Sequence, residues 1–191
     1  MKRFIATALF IVCLFAMTGC EKKQGDMGIT MDDFISSYNQ AAKDKGIEQA
    51  AFEDYTQGVL PEGGILSYIF DKGAKLTLMV DKELNVSIAS ITAHPGLLKD
   101  EASIQEFREA AINCIDILDK QYRDEIMQAT GLNDLKNAMD KAVADKNKNK
   151  LYFFDTNTKQ KDPVHGKTYQ LVYTDYQGKL YFDISYPMKT S

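Results

Sequence analysis

Residues that carry chemistry are scarce in this chain of 191: it has two histidines, three cysteines and four prolines. His94 and His165 sit beside proline and glycine, and neither belongs to an HxxxH or HExxH pattern. There is no CxxC pair either. A zinc-type site needs three or four such donors together, so no metal and no cofactor are expected. The two histidines read as turn residues, weak loop candidates for a site because loops can carry function. The GxSxG elbow, the glycine-rich phosphate loop and the SxxK motif are also missing. A hydrolase would need a carboxylate or histidine constellation that the linear sequence does not display, so the expectation is a protein that is not an enzyme. An excess of positive charge is lacking too. The 23 Lys and Arg against 27 Asp and Glu argue against a nucleic-acid partner, which would favour a basic face.

Long apolar runs are absent, with one short exception. Lys2 and Arg3 precede Phe4 to Met17, an uncharged stretch whose helix would rise about 21 Å, short of the roughly 30 Å hydrocarbon core. A positive start, a short apolar run and small residues mark a signal peptide rather than a membrane span. Met17-Thr18-Gly19-Cys20 then resembles the lipobox of bacterial lipoproteins, although leucine is commoner where Met17 stands. The resemblance implies that residues 1–19 are removed, that the Cys20 sulfur carries a diacylglycerol and that its amino group is often acylated. Two or three acyl chains make a stable anchor, so the membrane would be a partner through Cys20. In a Gram-negative cell the absence of aspartate after the cysteine (Glu21) implies the outer membrane, facing the periplasm. In a Gram-positive cell the anchor implies the outer face of the plasma membrane. Without Lys2 and Arg3 the balance becomes 21 basic against 27 acidic side chains, a formal −6.

Cys13 falls in the signal and Cys20 at the anchor, which leaves Cys114 alone. One thiol forms no internal disulfide, so the fold must stand on its core. Residues 20–29 read as lipidated cysteine and tether, and 30–191 as one domain with candidate halves 30–118 and 119–191. Thr30 fits an N-cap with Asp33 three residues on, opening an amphipathic helix that Gly46 stops. Residues 47–63 suggest a helical turn around Ala50 to Tyr55 and then a loop. Ile65–Phe70, Lys75–Val80 and Val86–Thr92 read as strands joined at hairpin distances. Helical spacing returns from Ile104 to Tyr122, with Cys114 inside the apolar stripe, and again near Ile126 and over 133–145. Strands follow at 150–155, 167–175 and 179–186.

Strands in two antiparallel blocks with intervening helices predict an α+β fold, an antiparallel sheet with helices on one face. KLTLMVDKELNVSIASI (75–91) parallels KTYQLVYTDYQGKLYFDIS (167–185), which suggests a duplicated helix-plus-three-strand unit, TBP-like. A curved sheet of the cystatin or NTF2 kind is the alternative. Fold analogy of this sort transfers no function.

The last forty residues are rich in aromatics. Tyr176 lies at a turn, and Tyr181 falls opposite Leu180 and Phe182, so strand alternation turns it away from the core. Tyrosine is enriched at interfaces, which makes the outward face of this meander the candidate contact surface. The functional expectation is a lipid-anchored envelope protein that binds another envelope protein as an inhibitor, immunity-type or accessory module. The alternative is a carrier with an apolar pocket for a small ligand between sheet and helices.

Overall fold

The computed structural model describes residues 27–52, 55–60, 63–94, 96–144, 150–155, 167–174 and 179–185. Cys20, His165, Tyr176, the signal and residues 20–26 of the tether lie outside them. Among the described residues no helix is long and apolar enough to cross a membrane.

The fold is α+β. Helix α1 (Met31–Lys45) leads into strands β1 (Tyr55–Leu60), β2 (Gly63–Ile69), β3 (Lys75–Asp81) and β4 (Val86–Ala93). Helices α2 (Glu101–Asp119), α3 (Arg123–Thr130) and α4 (Leu135–Ala144) follow, linked by single 3-10 turns, and β5 (Lys150–Asp155), β6 (Thr168–Thr174) and β7 (Lys179–Ser185) close the order. All seven strands form one sheet in the order β1-β2-β3-β4-β7-β6-β5, antiparallel at every step.

The capping expected at residue 30 is present. Thr30 Oγ1 accepts from the Asp33 amide at 3.2 Å, and Gly46 ends the helix at φ 67°, a conformation in which glycine avoids the Cβ penalty. The first block holds four strands, not three: Tyr55–Leu60 extends along β2 where a helical turn and loop were expected. Gly58 interrupts that segment and the register shifts between Gln57 and Leu60, so no clean alternation announced an edge strand.

One face of the sheet is buried beneath the helices. Leu76, Leu78, Ala89, Ile91, Leu171, Phe182 and Ile184 point inward with almost no exposure, and they meet Phe34, Tyr38, Phe107, Ile115 and Ile126 from the helices. Polar groups fix the layers. The Glu106 carboxylate of α2 accepts from the Lys72 and Ala74 amides at 2.6 and 3.0 Å, clamping the β2–β3 turn. At the other end of α2, buried Asp119 accepts from the Tyr169 hydroxyl at 2.7 Å and pairs with buried Lys167 at 3.5 Å.

The two meanders match in register. Residues 93 apart occupy equivalent places: Leu76 opposite Ile91 corresponds to Tyr169 opposite Ile184, and Thr77 opposite Ser90 to Gln170 opposite Asp183. On the outer side, Ser67 opposite Thr77 corresponds to Phe153 opposite Gln170. A local twofold axis therefore runs between β4 and β7, through the facing pair Ser90 and Asp183.

Candidate functional site

Strand alternation that buries one face sends the intervening residues to the other. That other face holds three cross-strand rows. The central row is Ser67, Thr77, Ser90, Asp183 and Gln170. Beside it run Ile65, Met79, Ile88, Ser185 and Thr168 on one flank, and Ile69, Lys75, Thr92, Tyr181 and Val172 on the other. The residues of these rows, apart from Ile65, Ser67, Thr168 and Val172, line an open trough of about 690 Å³. Its floor is polar along the middle and mixed to either side.

Ser67 Oγ and Thr77 Oγ1 lie 3.3 Å apart, and Ser90 Oγ donates to Asp183 Oδ1. Burial pushes the Asp183 carboxyl above the usual carboxylate range, with the Ser90 hydrogen bond acting the other way. At one end, the turn after β2 brings Gly73 (φ 90°) so close to Leu97 that a Cβ would stand 2.7 Å from Leu97 Cδ1. Ile69 and Leu97 are exposed there.

The residues singled out from the sequence separate accordingly. Tyr181 lies in the trough, on the central strand pair rather than at the edge of the molecule. His94 is exposed at the rim, where its Nδ1 accepts from the Gly96 amide at 3.0 Å. Cys114 is wholly buried in α2, and burial drives its thiol far up from the ordinary value, so it holds no thiolate at neutral pH. Among the described residues, no group of three or more His, Cys, Asp or Glu is arranged to hold a metal ion.

Sequence reasoning missed Asp183 and the contribution of β3 and β4. A lone acid in an alternating strand looks like any solvated residue. The available signal was the matched register, which sets Ser90 and Asp183 side by side.

Comparison with protein-family models, curated proteins and solved structures gives no match for the chain.

Proposed function

We propose that this chain is a bacterial lipoprotein, acylated on Cys20, that acts without catalysis by binding another envelope protein through the open face of its sheet. The observation that carries the reading is that, among the described residues, helices cover the seven-stranded sheet on one side only, and its other side forms the trough. Antiparallel sheets commonly leave one face to solvent. Here that face carries Tyr181, Met79 and Ile88 around a polar row, the mixture typical of an interface core and its hydrogen-bonding groups. The burial of Cys114 supports the absence of thiol chemistry. A photo-crosslinking residue at Thr92, in the trough, and another at exposed Lys136, on the helical layer, test the reading in intact cells of the native host. A protein adduct from position 92 and none from 136 is expected; adducts only from 136, or none from 92, would overturn it.

A second reading, a carrier of a small ligand, draws on the trough's volume, which lies within the roughly 300–1,000 Å³ of small-molecule sites. The ligand would then sit on the open face, because Leu76, Leu78, Phe34 and Phe107 fill the space between sheet and helices.

A further inference from the structure

Asp183 is the acidic group on the trough floor that the described residues leave uncompensated. Its Oδ1 accepts from Ser90, and among the described residues no Lys, Arg or His pairs with either oxygen. Lys75 and His94 also line the trough, but Lys75 stands two strands away from Asp183, on the flank row that holds Tyr181, and His94 is at the rim. Oδ2 has no hydrogen-bond partner among the described residues, and it is not sealed from access as a buried orphan atom would be. The carboxylate is therefore partly desolvated with half its accepting capacity unused, and a carboxylate accepts best from a charged donor.

The surroundings narrow the donor. Ile88 and Tyr181 stand on the two flank rows next to Ser90 and Asp183, so a visitor needs an apolar stem as well as a cationic head. Lysine and arginine have that form, and an aromatic ring beside the head favours a cation further. The expected mature balance of 21 basic against 27 acidic side chains would steer a basic partner toward this protein. Five strands at about 4.8 Å spacing set the outer two roughly 19 Å apart, and Asp183 lies on the strand next to the middle one, near the centre, where interface anchors concentrate.

We propose that the Ser90–Asp183 pair is the socket for a lysine or arginine side chain of the protein partner, whose charged head donates to the free Asp183 oxygen while its stem lies against Ile88 and Tyr181. The proposal rests on the open face being the binding surface.

The test uses the full chain in its native host, with the photo-crosslinking residue at Thr92. Asp183→Asn keeps the shape and removes the charge. It is expected to cut the adduct about tenfold or more, as truncating a buried charge pair does, while Asp140→Asn, which neutralises an exposed acid on the helical layer, leaves the adduct unchanged. The cross-linked partner segment should contain a lysine or arginine. Full adduct from Asp183→Asn, or a partner segment with neither residue, would overturn the socket and leave the open-face reading standing. No adduct from position 92 with Asp183 in place would overturn both. Thermal melting of Asp183→Asn separates binding from folding: it should melt no lower than the native chain, and a marked drop would contradict an uncompensated charge.

Discussion

Cys114 and Tyr38 are two polar side chains wholly buried in the core. The Cys114 thiol is a weak donor and behaves there as a small hydrophobe. Cys114→Ser would put a stronger polar group in the same space, at a cost of about 1–3 kcal/mol, which urea unfolding would measure. The Tyr38 hydroxyl is buried without a hydrogen-bond partner among the described residues. Tyr38→Phe removes that orphan group, so urea unfolding should show the variant more stable by about 1 kcal/mol. Asp183 adds a dependence on pH. Its carboxyl is raised in the folded chain, so between the unfolded and folded values the native state binds more protons. Stability contributed by this group therefore falls as pH rises through that window. Asp183→Asn should remove that slope and raise the melting temperature at pH 7. The place of Cys114 was legible in the sequence because Phe107, Ala111, Ile115 and Leu118 repeat around it at helical spacing. That of Asp183 was not, because its surroundings come from partners distant in sequence, Ser90 on β4 and Gln170 on β6.

Elements whose own pattern is strong came through well: α1, with its Thr30 cap and Gly46 stop, and β3, where Leu76, Leu78 and Val80 alternate. Elements defined by a neighbour did not. β1 is extended because β2 offers it an edge, a tertiary cause that local propensity does not contain. The same principle governs the β2–β3 turn, which Glu106 holds from α2 by two backbone amides. Glu106→Ala should free that turn, and hydrogen exchange at Lys72 and Ala74 should speed up while the β4–β7 pair stays protected. At the other end of α2, Lys167→Met would leave Asp119 buried without its cation, accepting only from the Tyr169 hydroxyl and Gln121 Nε2 among the described residues. Breaking a buried pair from one side costs about 3–5 kcal/mol, a loss that urea unfolding would show.

The molecule as a whole is tied at its entrance. The Met27 amide donates to Val86 O at 2.9 Å, and the Met31 amide to Leu84 O at 2.8 Å, so the chain joins the domain at the β3–β4 turn. Residues 20–26 span at most about 24 Å when fully extended, so an acylated Cys20 would keep that turn close to the bilayer. Cys20→Ala should abolish palmitate labelling and move the protein out of the membrane fraction; retained labelling would refute the anchor. Nothing in the lipobox resemblance reports on the domain beyond it, so address and architecture were read from separate stretches of sequence.

The twofold plan of the sheet has a consequence for how a partner can approach. Ser90 and Asp183 occupy equivalent positions on the axis, yet one is neutral and the other acidic. Ile88 and Tyr181 are equivalent too, and they differ in size and shape. A face laid out symmetrically but filled unequally has a head and a tail. A visitor turned by half a circle would meet the same backbone and the wrong chemistry, so as the binding surface proposed above the face would select direction as well as identity and favour one partner chain at a time over a symmetric pair.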